Sequence, residues 1–154
     1  MKNMKAMLQK GISLLEVMLS ISIIAVILVM ATRYYEVAHT NDALNNMQEQ
    51  VSAVEGAVTR YADTHGSYAD ATITGLVEGS YYPNSTSYNA AGTGEIHNTL
   101  GTITLTSPST TGITITVNMN GANKLCLRLA ANLTGASCSD GILTMPLPVS
   151  NVTS

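Results

Sequence analysis

A single carboxylate lies in a segment where a charged group is costly. Residues 12–31 contain one charged side chain, Glu16, and neither glycine nor proline. As a helix this segment would span about 30 Å, the thickness of the hydrocarbon core of a bilayer. A carboxylate in a membrane-spanning helix costs about 2.5 to 3.5 kcal/mol on insertion scales. This cost indicates that Glu16 has a function, and its carboxylate requires a partner group that offsets the cost.

The sequence itself offers a partner for this carboxylate. If the peptide bond after Gly11 is cut, Ile12 gains a free α-amino group four residues before Glu16, and the two groups lie near each other along one helix face. Between neighbouring copies of the chain, the same amine and carboxylate would pair in a low-dielectric core. Removing one member of such a pair costs about 3 to 5 kcal/mol. We therefore interpret Ile12 and Glu16 as assembly residues.

Two other interpretations of the apolar segment fit less well. A secretory signal peptide has a shorter apolar stretch and a small-residue cleavage site, whereas this segment runs on into residues 33–36, Arg-Tyr-Tyr-Glu. A plain single-pass anchor explains the length but not Glu16. The basic residues before the segment, Lys2, Lys5 and Lys10, favour a cytoplasmic amino terminus, with the rest of the chain outside the cytoplasm.

The chain has two cysteines, Cys126 and Cys138. They lack the CxxC spacing and the nearby histidine that a redox or metal-binding pair would need. In an exported chain, two cysteines are expected to form a disulfide. Closing a loop of this size contributes about 3 kcal/mol in the chain-entropy model.

No other residues form a pattern that favours catalysis or metal binding. The histidines are far apart in the sequence, and no acid or nucleophile recurs at a fixed spacing from them: His39, His65 and His97. Four acids of the carboxy-terminal part lack the dense spacing of a calcium loop and are expected to be solvated: Asp70, Glu78, Glu95 and Asp140. We therefore predict no catalytic residue, no metal and no cofactor.

Composition excludes further classes of function. Of the 154 residues, 11% are charged, and the formal net charge is −3. Without residues 1–11, four basic and ten acidic residues remain, a formal charge of −6. The chain has no basic stripe of the kind that nucleic acids bind. Direct binding of nucleic acid is not expected, and neither is enzymatic activity.

The amino terminus resembles a known class of export signal. Residues 10–17, Lys-Gly-Ile-Ser-Leu-Leu-Glu-Val, follow a short basic leader and open an uninterrupted apolar run, as in the class III signal of type IV pilins and pseudopilins. In that family a prepilin peptidase cuts after the glycine and methylates the new amino terminus, and the fifth mature residue is Glu. Gly11, Ile12 and Glu16 match these positions, so the resemblance implies that Gly11 and Ile12 form the processing site. The start with Ile12 and a helix without proline are similar to the type IVb branch, whereas the leader is short for that branch.

The resemblance also implies a function and partners. It implies a structural subunit of a type IV pilus, held in the inner membrane as a precursor and then polymerised with itself into an extracellular filament on the cell surface. Prepilin peptidase, an assembly ATPase and an inner-membrane platform protein are the implied partners, and adhesion, motility or DNA transfer are the implied tasks. A minor pilin and a type II secretion pseudopilin are alternatives within the family. A monotopic membrane-anchored binding module is the alternative from a different class.

A second pattern follows the apolar segment. Apolar residues recur at spacings of 7, 3, 4, 3, 4 and 3 and predict one helix with one apolar face: Val37, Leu44, Met47, Val51, Val54, Val58 and Tyr61. This helix is expected to end near Gly66, which can adopt the left-handed conformation. By the resemblance its apolar face packs under a globular domain, although a coiled coil is also open. The predicted organisation is therefore leader 1–11, assembly helix 12–35, amphipathic helix 36–64 and globular pilin domain 65–154.

The globular domain is predicted to contain a small antiparallel sheet. Residues 102–106 and 113–119 alternate strictly and predict two antiparallel strands, whereas residues 67–94 predict a loop with a short strand or turn. Residues 123–133 predict a short helix, and residues 142–145 an edge strand ending near two prolines. The expected fold is α+β, pilin-like, with the hydrophobic half of a long helix protruding from a sheet-containing domain.

Overall fold

The computed structural model describes residues 13–83 and 94–148 and has a long amino-terminal helix and a five-stranded sheet. Helix α1 comprises Leu14–His65, α2 Ile73–Glu78 and α3 Asn123–Asn132. The strands are β1 Ile96–Asn98, β2 Gly101–Thr106, β3 Gly112–Asn118, β4 Ser137–Ser139 and β5 Ile142–Pro148. The chain divides into an amino-terminal unit, residues 1–40, and a carboxy-terminal unit, residues 41–154. The second half of α1 belongs to the carboxy-terminal unit.

The core of the carboxy-terminal unit lies between α1 and one face of the sheet. The buried residues of α1 follow the predicted helical spacing from residue 44 to residue 58: Leu44, Met47, Val51, Val54 and Val58, with Ala43 and Ala57 beside them. All of them except Ala43 share one hydrophobic cluster with the alternating apolar residues of the sheet, among them Ile103, Ile115 and Leu143. This arrangement confirms the predicted α+β fold with a long helix packed on an antiparallel sheet. Val37, which the same spacing placed on the apolar face, lies in the amino-terminal unit and is exposed.

The sheet is antiparallel throughout, in the order β1-β2-β3-β5-β4. The two predicted strands are β2 and β3, which pair with Ile103 opposite Val117. The prediction of an edge strand at residues 142–145 is wrong, because β5 lies between β3 and β4. Its prolines are nevertheless compatible with the sheet, since β4 pairs with β5 only as far as Thr144. Beyond Thr144 no described strand lies on that side of β5, so a missing N–H there costs no ladder bond.

Turn residues set the ends of the main elements. Gly66 has φ of 71°, and its N–H donates to the carbonyl oxygen of Ala62, so α1 ends where the sequence predicted. Residues 84–93 of the predicted loop lie outside the described residues, and the part before them contains α2, which begins after Thr72. The hydroxyl of Thr72 accepts a hydrogen bond from the N–H of Gly75 at 3.0 Å and thereby caps the helix.

Two glycines give a stability prediction with opposite signs. A Cβ atom at Gly101 would overlap the carbonyl oxygen of Asn118 on the neighbouring strand, whereas a Cβ atom at Gly56 would meet no atom within 4 Å. Gly101→Ala is therefore expected to destabilise the protein by about 1 to 3 kcal/mol, because backbone atoms must shift. Gly56→Ala lies within α1 and is expected to stabilise it by up to about 1 kcal/mol. Thermal unfolding of both variants in detergent micelles tests this, and equal effects of the two substitutions would contradict it.

Candidate assembly site and disulfide

The first half of α1 exposes an apolar surface on all its sides. Every residue from 13 to 39 is exposed. Thirteen of the exposed side chains between residues 14 and 30 are large and apolar: Leu14, Leu15, Val17, Met18, Leu19, Ile21, Ile23, Ile24, Val26, Ile27, Leu28, Val29 and Met30. Of the helices in the described ranges, α1 is the one whose length and composition would allow it to cross a membrane, and a stretch of 18 residues within it has a mean hydropathy of 2.7. This surface is suited to a bilayer or to other apolar helices.

Glu16 lies in the first turn of α1. Its backbone N–H donates to the carbonyl oxygen of Ser13 at 2.8 Å. The carboxylate therefore lies at the positive end of the helix dipole, which favours negative charge. Between residues 14 and 32 it is the only charged group that the structure describes.

The other polar side chains of this segment satisfy their own hydrogen bonds. The hydroxyl groups of Ser20 and Ser22 each donate at 2.8 Å to the carbonyl oxygen four residues earlier, and that of Thr32 donates to Val29 at 3.0 Å. Such bonds remove the need for an external partner. In this described part of the helix, Glu16 alone presents an unpaired polar group to its surroundings. In an apolar environment it requires a partner from outside the helix.

The two processing residues that the sequence predicted, Gly11 and Ile12, lie outside the described residues. The pairing of the Ile12 amine with Glu16 therefore stays a prediction. Tyr34 and Tyr35, at the other end of the apolar segment, are exposed, and the ring of Tyr35 lies 6.2 Å from that of His39. Amphipathic rings at this position suit the interface between membrane and water.

A disulfide joins Cys126 of α3 to Cys138 of β4, with the Cα atoms 5.9 Å apart. Cys126 is fully buried in the core, and Leu129, one turn further along α3, is buried beside it. The bond therefore attaches α3 to the sheet edge formed by β4. This short strand has only three residues and, within the described sheet, pairs with β5 alone, so it depends on the attachment more than the longer strands do.

Replacing either cysteine with serine is expected to destabilise the carboxy-terminal unit by about 2 to 5 kcal/mol. Cys126→Ser should cost more than Cys138→Ser, because it also places a hydroxyl group in the apolar core, whereas Cys138 is half-buried. Thermal unfolding of the oxidised protein in detergent gives the two shifts. The double variant Cys126→Ala/Cys138→Ala separates loss of the bond from burial of a hydroxyl group. Unchanged unfolding of all three variants would show that the disulfide does not stabilise the fold.

The histidines and acids do not converge on a site. His65 stacks on Tyr61, with ring centroids 4.1 Å apart, and His97 lies 4.0 Å from the carboxylate of Glu95. Within residues 13–83 and 94–148, no three His, Cys, Asp or Glu side chains come together as a metal site would require. Burial raises the pKa of Tyr82, and burial together with the nearby Asp63 carboxylate raises the pKa of Tyr68. Both phenols are therefore neutral at physiological pH.

Two contacts that the sequence did not indicate attach α1 to the rest of the carboxy-terminal unit. The guanidinium group of Arg128 on α3 donates to the side-chain oxygen of Asn41 at 2.9 Å. That of Arg60 donates to the carbonyl oxygen of Tyr81, also at 2.9 Å. These bonds join residues 87 and 21 positions apart, a separation over which local sequence patterns carry no signal.

Comparison with known proteins identifies the amino-terminal signal. The family model of the prokaryotic N-terminal methylation motif matches residues 6–32, a range that includes Gly11, Ile12 and Glu16. No curated protein and no solved structure matches the chain. The chain thus carries the methylation motif over the apolar start of a long helix, and this combination is consistent with a type IV pilin or prepilin. The motif supports a pilin-like or pseudopilin-like protein with a structural role and a membrane-anchored precursor.

Proposed function

We propose that this chain is the structural subunit of a type IV pilus. It is made as an inner-membrane precursor, cut by a prepilin peptidase after Gly11, methylated at Ile12 and polymerised into an extracellular filament. The observation that carries the proposal is the exposed apolar half of α1, which lies within the range that the methylation motif matches. Such a surface needs a bilayer before assembly and neighbouring helices after it.

Glu16 gives the assembled state its register in this proposal. The carboxylate has no partner in its own described helix, and the α-amino group of Ile12 on a neighbouring subunit supplies one of opposite charge. A charge pair in a low-dielectric core stabilises the axial offset between helices at which both charges meet. Other offsets are less stable, because an unpaired buried charge costs several kcal/mol. The apolar side chains around Glu16 supply contact area, but they do not by themselves select an offset.

The proposal includes partners besides the chain itself. Moving an apolar helix from lipid into a filament gains little from the hydrophobic effect, since lipid tails are as apolar as leucine. An assembly ATPase and a membrane platform protein would therefore supply the work of extraction, and a prepilin peptidase the cut. Their place in the proposal comes from the resemblance to type IV pilins.

The amino-terminal sequence and intact mass of the protein in sheared cell-surface material test the proposal. We expect an N-methylated Ile12 as the first residue in that fraction. An intact start at Met1, confined to the membrane, would overturn the proposal and leave a simple anchor. A processed chain that never reaches the surface, but whose loss blocks secretion of exoproteins, would instead identify a pseudopilin.

A further inference from the structure

Helix α3 presents a stripe of one apolar and two basic residues, which we call the α3 stripe: Lys124, Leu127 and Arg128. The spacing of three and four residues places them on one face of the helix. All three are exposed, and Leu127 is 54% accessible. Among the described residues of the carboxy-terminal unit, the other exposed large apolar side chain is Ile142, at 40%.

Among the residues that the structure describes, the cations of the α3 stripe have no acidic partner within ion-pair distance. Residues 41–154 contain eight acids and three basic residues, two of which belong to this stripe. Over the described ranges, the ion pair within reach is His97 with Glu95, and none includes Lys124 or Arg128. Arg128 donates to the amide oxygen of Asn41, a neutral group that holds its position without forming an ion pair.

An acidic and partly apolar recess lies on α1 beside β1, the first strand of the sheet order. It has a volume of about 710 Å³ and is lined by Asn46, Glu49, Ala53, Tyr82 and His97, among others. We call it the α1 recess. The methyl group of Ala53 and the ring of Tyr82 give it an apolar part, and the exposed carboxylate of Glu49 gives it a negative charge. The side-chain amide of Asn98 donates to the side-chain oxygen of Gln50 at 2.9 Å and fixes another part of its lining.

The stripe and the recess lie at opposite ends of the sheet order. The recess includes residues of β1, the first strand of the order β1-β2-β3-β5-β4, whereas α3 packs on β4 and β5 at the other end. Two different, complementary surfaces on one chain make a heterologous contact, which forms a ring or an open helical filament and not a closed dimer. This geometry is the one that a filament subunit requires.

We propose that the α3 stripe of one subunit docks on the α1 recess of a second copy of the chain, and this inference rests on the proposed pilus function. Leu127 enters the apolar part of the recess beside Ala53 and Tyr82. Lys124 and Arg128 face the carboxylate of Glu49 and that of Asp42, which lies seven residues earlier on the same side of α1. The contact places the scarce cations of a subunit with formal charge −6 against acids of its neighbour, which lowers the repulsion between copies.

The composition of the mature chain allows a direct test by chemical cross-linking. After a cut at Gly11, Lys124 is the only lysine left, so a carbodiimide can join a lysine to a carboxylate at that position alone. Sheared filaments of the full processed chain would be treated with carbodiimide and analysed by denaturing gel and mass spectrometry. We expect covalent dimers and longer ladders in which Lys124 of one copy is joined to Glu49 or Asp42 of another. Lys124→Arg keeps the charge but lacks the reactive amine, and its filaments should lack every cross-link at residue 124.

A matched pair of variants tests the apolar part of the contact. Leu127→Asp and Ile142→Asp make the same chemical change at the two exposed large apolar side chains that are described in the carboxy-terminal unit. We expect Leu127→Asp to lower the yield of sheared filaments about tenfold, since burial of one leucine is lost, and Ile142→Asp to leave the yield near that of the wild type. The amount of protein in the membrane fraction shows that each variant folds and accumulates.

The outcomes separate this inference from the function on which it rests. If wild-type protein is absent from sheared material, the pilus function fails. If filaments are present but Lys124 joins a carboxylate elsewhere on a second copy, or joins a different protein, the docking proposal is overturned and the pilus function stands. The same holds if Leu127→Asp assembles as well as Ile142→Asp.

Discussion

Glu16→Ala is expected to abolish incorporation into filaments while leaving the precursor in the membrane at an equal or higher level. In the filament the substitution leaves the amine of Ile12 without its partner, at a cost of about 3 to 5 kcal/mol. This corresponds to a hundredfold or greater loss at the assembly step. In the bilayer the same substitution removes a carboxylate that costs about 2.5 to 3.5 kcal/mol to insert. Quantitative immunoblots of sheared and membrane fractions measure both effects.

Two further variants test whether the loss of filament assembly is due to the charge of Glu16 and to its position within the apolar segment. Glu16→Gln keeps the size of the side chain and should fail in assembly nearly as fully as alanine does. Glu36→Ala removes the other acid of the amino-terminal unit, beyond the apolar run, and should assemble normally. A lone anchored binding module would be indifferent to all three changes. Normal filaments from Glu16→Ala would show that the carboxylate plays no part in assembly.

The elements that could be predicted from the sequence are those whose pattern repeats within one segment. The apolar spacing along α1 predicted its buried face from Leu44 to Val58, and the alternation in β2 and β3 predicted their pairing. Gly66 marked the end of α1 because a left-handed residue is needed there and glycine adopts that conformation without strain. In each case the local signal and the tertiary packing favour the same structure.

The elements that were missed are short and depend on neighbours distant in sequence. Strands β1 and β4 have three residues each, too few for an alternation to be recognised, and they exist through their pairing with β2 and β5. Helix α2 has six residues and depends on the hydroxyl cap of Thr72. The prolines of β5 indicated an edge strand, because the sequence could not show that β4 covers only part of the strand.

The candidate sites also differ in how far they could be predicted, because some are contiguous in the sequence and others combine distant segments. Glu16 could be recognised because its apolar surroundings are contiguous in the sequence, and the two cysteines because the chain has no others. The spacing of Lys124, Leu127 and Arg128 could be seen in the sequence. Only the folded chain shows that no described acid forms an ion pair with the two cations. The α1 recess combines residues from α1, β1 and the segment after α2, so that only the folded chain defines it.

Replacing Gly11 with valine is expected to leave the precursor uncut and to remove filaments completely. Glycine lacks a Cβ atom and allows close approach to its backbone, whereas the branched side chain of valine would keep the scissile bond away from the catalytic groups of the peptidase. The uncut chain would also retain three charged side chains at the end of its apolar helix: Lys2, Lys5 and Lys10. Each costs about 2.5 to 3.5 kcal/mol to bury in an apolar environment. An uncut chain is therefore excluded from the filament core even if it reaches the assembly machinery.

Intact mass and amino-terminal sequence of the membrane fraction measure the processing of the Gly11 variant. The wild type should begin at N-methylated Ile12, and Gly11→Val at Met1. Gly11→Ala is the graded control, since one methyl group hinders the approach less and should leave part of the protein processed. If Gly11→Val is cut at the normal position, the enzyme that removes the three lysines does not require glycine before the cut. The assignment of residues 1–11 as a class III leader would then be wrong, although the apolar helix and its unpaired carboxylate would still require a partner.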